Sequence, residues 1–213
     1  MHFTAPLCIG LIAASVMGGP ARTQNAGDPL RLYAVRIGGG HGVYLGSGIV
    51  ITAAHVAGNE PRVELAGHDV PAKVLKQSDP SDVDLTLLSI DGHLPARLGL
   101  RHLLLCQNPP VTGEPVLVAI PEGVARSYVM APSLFPPDLA AKFRTVIRYI
   151  DAGDSGSGVF DAKEKCLLGI ISRKITIQIK PVEGHEVAAP RDIAKYFVPA
   201  SEIAKFIPPE VHF

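Results

Sequence analysis

Apolar residues fall into short runs along the chain, at 32–37, 43–51, 62–65, 70–75 and 85–90. After a Pro- and Gly-containing stretch at 94–113 they resume at 115–120, 126–130, 143–150, 158–160, 166–172, 176–179 and 196–198. The runs are rich in Val, Ile, Tyr and Phe and are bounded by turn formers, the signature of strands rather than of helices. The run at 43–51 carries Gly46 and Gly48 in its interior, which predicts a bulge or a close backbone approach. A helical period shows only near the end, at 200–207, with Ser201 placed as an N-cap and Pro208 as a stop. Two comparable groups of strands around a mid-chain linker predict two β-barrels or one long sandwich.

Composition sharpens this picture. Gly and Pro make up 40 of 213 residues, well above average usage, which fits many tight turns. A hydrophobic fraction of 47% with a net charge of zero excludes a disordered chain. The same charge balance argues against a protein built to grip nucleic acid. Residues 6–19 form an apolar stretch too short to span a bilayer, matching the core of an export signal. We therefore expect a signal peptide over 1–26, cleaved between 18 and 26, no membrane span, and a periplasmic or extracellular location. Cys8 would leave with that signal, and the remaining Cys106 and Cys166 are either a disulfide, as oxidising compartments favour, or two buried thiols.

Three segments carry candidate chemistry. In Gly153-Asp154-Ser155-Gly156-Ser157-Gly158 a hydroxyl sits between glycines that let the chain bend around it, as a serine nucleophile requires. Alone, such a cluster is more readily an ordinary turn. Upstream, a β-branched run leads into Thr52-Ala53-Ala54-His55, offering an imidazole that could take the serine proton. Between them, Asp84 heads the apolar run Leu85-Thr86-Leu87-Leu88, where a buried carboxylate can orient a histidine. Asp82, two residues earlier, is read as solvated. His41, His68, His93, His102, His185 and His212 share no ligand spacing and are read mostly as surface residues, so no metal and no cofactor is expected. The stretch 174–180 is read as a solvated face rather than an anion-binding strand.

T-A-A-H at 52–55, D-L-T-L-L at 84–88 and G-D-S-G-S-G at 153–158 resemble, in this order, the motifs of the trypsin-like, chymotrypsin-fold serine peptidases of the compact bacterial type. The resemblance spans about 30–207 and implies an all-β chain of two six-stranded antiparallel β-barrels with a C-terminal helix. The barrels would cover about 30–101 and 109–198, and the helix about 200–207. Carried over, His55 is the general base, Asp84 the orienting acid and Ser155 the nucleophile, with Gly153 and Ser155 N–H groups as the oxyanion hole. The resemblance also implies substrate-binding roles for Tyr149, at the base of the primary pocket, and for Ser172, whose hydroxyl would support the buried aspartate. It pairs Cys106 with Cys166.

The implied function is a monomeric, secreted endopeptidase that hydrolyses protein or peptide substrates through an acyl-enzyme. An inert binding protein on the same fold is the alternative. With no aspartate at position 149, no strong preference for Lys or Arg is expected. No Ile-Val-Gly-Gly-like activation sequence precedes the first strand, so Asp154 needs a partner other than a freed N-terminus. The His-to-Asp spacing of 29 implies trimmed loops, and the chain's end at Phe213 leaves no room for a C-terminal peptide-binding domain.

Overall fold

A computed structural model of the protein describes residues 28–90, 101–177 and 190–213. The apolar stretch at 6–19, read as an export signal, lies outside the described residues, as do His93 and His185. A 3₁₀ turn, Pro29–Tyr33, is capped by the Asp28 side chain, which accepts from Leu30 N at 3.0 Å. Six strands follow: β1 (Ala34–Ile37), β2 (Gly40–Gly46), β3 (Ile49–Thr52), β4 (Arg62–Leu65), β5 (His68–Gln77) and β6 (Thr86–Ile90). They close in the ring order β1-β2-β3-β6-β5-β4. A second set, β7 (Pro115–Ile120), β8 (Gly123–Met130), β9 (Val146–Arg148), β10 (Gly158–Asp161), β11 (Leu167–Ile177) and β12 (Arg191–Pro199), closes as β10-β11-β12-β9-β8-β7. Numbered within its own barrel, each ring has the same order, and every strand pair is antiparallel. The two barrels are those the sequence resemblance implied, and the sandwich is excluded.

Several boundaries differ from the sequence reading for identifiable reasons. The apolar run at 43–51 is two strands, not one: Ser47 (φ 47°) and Gly48 (φ 79°) form the two-residue turn between β2 and β3. Positive φ at both central positions is the hairpin geometry that matches strand twist. Conversely, the run at 166–172 and the start of the next, Thr176 and Ile177, fall in the single long β11, because Arg173 and Lys174 keep pairing with β12 past a bulge at Ser172. The terminal helix (Ala200–Phe206) begins one residue before Ser201, so Ser201 is not its cap. Pro199 ends β12 in extended conformation and the helix starts directly from it without a side-chain cap.

One core cluster crosses both barrels, joining Val43, Leu45 and Leu87 to Leu117, Phe160 and Ile170, with Ile203 and Phe206 of the terminal helix. β2 is buried on both faces as a result, whereas β5 keeps one wet side. Lys76 of β5 donates to the Phe206 carbonyl at 2.9 Å and stands over its ring, fastening the terminal helix to the first barrel. The linker enters the second barrel beside β11, where Leu167 N donates to Leu104 O and Cys106 N to Leu167 O. There Cys106 and Cys166 form a disulfide, with their Cα atoms 5.1 Å apart.

Candidate active site

The cleft between the barrels is built first from the barrel-one side. β3 is wholly buried and ends at Thr52, whose hydroxyl donates to the His41 carbonyl at 2.6 Å. A single helical turn (Ala54–Ala57) then turns the chain and presents His55, whose side chain is 41% exposed. Asp84 is only 1% exposed and sits at φ 58°, a left-handed conformation that costs free energy for a non-glycine residue. Its own hydrogen bonds hold it there: the Asp84 carbonyl accepts from Ala54 N at 3.2 Å, and the carboxylate Oδ1 accepts from His55 N at 3.2 Å. His55 Nδ1 lies 3.0 Å from both carboxylate oxygens, and the Ser172 hydroxyl donates to Oδ2. With Nδ1–H directed at this carboxylate, Nε2 is left as the proton acceptor on the side away from Asp84.

The barrel-two side is a tight loop. Gly153 and Gly156 have φ values of 82° and 88°, and a Cβ on Gly156 would meet the His41 carbonyl at 1.8 Å, so only glycine passes beneath β2 here. The loop is strapped to β11 by Gly156 N donating to Ile171 O at 2.7 Å, and to β2 by His41 N donating to Ser155 O at 2.9 Å. Among the described residues the Gly153 and Ser155 N–H groups have no hydrogen-bond partner. The Ser155 hydroxyl donates to the Ser172 carbonyl at 3.1 Å rather than to His55. His55, Gly153 and Ser155 nonetheless line one cavity of about 280 Å³, with Ile171, Arg173 and Lys195.

Each predicted site residue can now be placed. His55, Asp84, Ser155, Gly153 and Ser172 meet at this cleft. Tyr149 does not line the cavity: it is half-buried, with its ring 5.3 Å from the Lys195 ammonium. Burial, and then the nearby Asp151 charge, raise the Tyr149 phenol. Asp154 is exposed and forms no ion pair among the described residues. Asp82 is solvent-exposed. His41 corrects the reading of surface histidines, since it is buried at 7% exposure with neither ring nitrogen partnered among the described residues. Desolvation lowers its pKa, outweighing the nearby Asp154 carboxylate.

The sequence reading missed Lys195. Its side chain is 2% exposed, and its Nζ donates to the carbonyls of Ala152, at 3.0 Å, and Gly153. Desolvation lowers it from 10.5 to about 8, against the pull of Asp154. A lysine inside the otherwise apolar run Ile193-Ala194-Lys195-Tyr196-Phe197-Val198 was the available signal. Lys174, across the ladder from Lys195, is solvated and paired with Asp192 at 3.1 Å, but it also edges the cavity.

The fold is chymotrypsin-like. The chain belongs to the family described as the trypsin-like peptidase domain, whose model matches residues 40–170. None of the curated proteins compared matches it. Among solved structures it is similar to a protease of M. tuberculosis, Rv3671c, in its inactive form, at 23% identity and a TM-score of 0.55, covering 83% of this chain and 88% of that one. Kallikrein-related peptidase 10 in complex with Zn2+ is 16% identical at a TM-score of 0.59, over 82% and 93% of the two chains. The MamO protease domain of Magnetospirillum magneticum is 18% identical at 0.55, over 84% and 97%. At these identities the likeness extends to the fold. Among the described residues no helix is long and apolar enough to cross a membrane, and no cluster of His, Cys, Asp and Glu is suited to a metal.

Proposed function

We propose that the protein is an exported serine endopeptidase that hydrolyses peptide bonds through an acyl-enzyme on Ser155. The observation that carries this reading is the His55–Asp84–Ser172 array, which fixes one imidazole tautomer beside a serine flanked by unpartnered N–H groups. In the reaction, rotation about the Ser155 side chain exchanges the Ser172 carbonyl for His55 Nε2. His55 takes the hydroxyl proton as Ser155 Oγ attacks the substrate carbonyl carbon. The oxyanion is stabilised by Gly153 and Ser155 N–H, and His55 returns the proton to the leaving amine. Water, deprotonated by the same imidazole, then attacks the ester and frees Ser155. Buried Asp84 stabilises the imidazolium in both halves without itself taking the proton.

Export is part of this proposal. It rests on the apolar stretch at 6–19 and on the disulfide, which persists in oxidising compartments. Protein or peptide substrates and a monomeric state are proposed with it.

The Ser155–Ser172 hydrogen bond favours a second reading, an inert binding protein whose serine rests away from its base. A fluorophosphonate separates the two. Rapid labelling of wild type, lost in Ser155→Ala, supports the enzyme, and an unlabelled serine supports the binding protein.

A further inference from the structure

Buried charges in proteins are ordinarily paired, because an ion removed from water loses more than hydrogen bonds to neutral groups return. Lys195 departs from this rule. Two of its three ammonium protons reach the Ala152 and Gly153 carbonyls, and no carboxylate among the described residues lies within salt-bridge distance. The other cations at the cavity are otherwise engaged. Lys174 is paired with Asp192, while Arg173 donates to the Pro80 carbonyl and, at 3.4 Å, to the Ser172 hydroxyl.

The position matters as much as the missing partner. Lys195 grips the two residues just before Asp154-Ser155 and lines the same cavity as His55 and Ser155. A side chain of the substrate residue preceding the scissile bond would enter this space. At about 280 Å³ the cavity lies near the small end of ligand pockets, about 300–1,000 Å³. It therefore suits one side chain rather than an extended ligand.

We propose that Lys195 reads the substrate, and that the cleft selects a carboxylate side chain, Asp or Glu, immediately before the bond to be cut. Asp154 also lines the cavity but lies beyond salt-bridge distance of Lys195, so the substrate supplies the contact counter-ion that the fold omits, and a basic side chain is repelled by the same ammonium. This deepens the peptidase reading by naming its substrate class, and it rests on that reading only for the cleavage step. The lowered basicity of Lys195 follows from the same desolvation and would be relieved by a bound carboxylate.

The test separates recognition from catalysis. Peptides identical except for Glu, Gln, Leu or Lys at that position are titrated against the Ser155→Ala chain at neutral pH, so that no turnover is needed. Glu should bind at least about tenfold tighter than its neutral isostere Gln, a ratio of the size measured for charge-assisted hydrogen bonds, and Lys should bind weakest. The Glu-to-Gln ratio should collapse when Lys195→Met is added and persist with Lys195→Arg and with Lys174→Ala. A ratio near one in the Ser155→Ala chain overturns the proposal whatever the variants do, so it stays testable even if Lys195→Met fails to fold. A ratio that follows Lys174 instead of Lys195 overturns it too. If the ratio holds while wild type resists fluorophosphonate, the carboxylate site stands and the peptidase reading fails.

Discussion

The two walls of the cleft are built on opposite principles. On the barrel-one wall every acceptor of Asp84 is used: its carboxylate receives His55 N, His55 Nδ1 and the Ser172 hydroxyl, and its carbonyl receives Ala54 N. On the barrel-two wall the groups facing the cavity are left short of partners among the described residues, namely the Gly153 and Ser155 N–H groups and the Lys195 ammonium, which has no carboxylate within salt-bridge distance. A group that must orient another is held by saturating its hydrogen bonds, whereas a group that must meet a substrate keeps capacity in reserve. The reserve is destabilising in the free protein, and the straps from Gly156 to Ile171 and from His41 to Ser155 keep it from collapsing.

This contrast can be broken most sharply at Ser155. Ser155→Ala should lower kcat by about 10⁶-fold if the triad acts as a unit. It should lower the urea midpoint only modestly, because a single hydrogen bond of about 1 kcal/mol is lost. Unchanged turnover of a cleavable peptide would end the peptidase reading. Asp84→Asn on the saturated wall should cost about 10⁴-fold in kcat by spoiling the imidazole tautomer. It should also lower stability more than the serine variant does, since Asn keeps one acceptor oxygen where Asp84 has two, leaving either the Ser172 hydroxyl or the His55 N–H against a buried amide NH2. Equal stability of the two variants would show that the walls do not differ as described.

A smaller effect is expected behind the barrel-two wall. The Cys106–Cys166 disulfide closes a loop of 60 residues, so Cys106→Ser with Cys166→Ser should destabilise the fold by about 4 kcal/mol on chain-entropy grounds. Thermal melts of oxidised wild type and the double variant would measure it, and coincident melts would deny the bridge any stabilising role.

The smallest effect concerns Lys195 and pH. Its folded value of about 8 lies below the ordinary 10.5, with Asp154, Asp151 and Asp192 pulling it upward and desolvation and Lys174 pushing it down. Between those two values the unfolded chain holds the extra proton, so the contribution of this group to stability rises with pH from about 8 to 10.5. Relative to Lys195→Met, wild type should gain in urea midpoint across that window. A constant difference would show an ammonium that is not desolvated, and would weaken the contrast between the walls at its last member.

Much of this architecture was legible in the residues. Alternating apolar runs and turn formers marked the strands, and three short motifs in fixed order singled out His55, Asp84 and Ser155, because such chemistry needs particular residue types beside particular turns. Less legible were features that depend on what lies across space. The division of 43–51 into two strands turned on positive φ at Ser47, a residue that does not advertise it. Merging 166–172 with Thr176 and Ile177 needed the partner strand β12, whose ladder resumes at Arg173 and Lys174.

The sequence by itself determined an all-β chain and the chemically capable side chains, since periodicity and turn residues are local properties, while the family resemblance of its motifs implied two barrels rather than a sandwich. Tertiary structure alone decided which charges are partnered. Lys195 reads in the sequence as one polar residue in a strand, and His41 as one more surface histidine. Both are buried because the barrels close and pack around them, and desolvation is a property of the assembled surroundings rather than of the residue. The same closure set Ser155 against the Ser172 carbonyl and Tyr149 beside the Lys195 ammonium, outside the cavity, where the family resemblance had implied a pocket base.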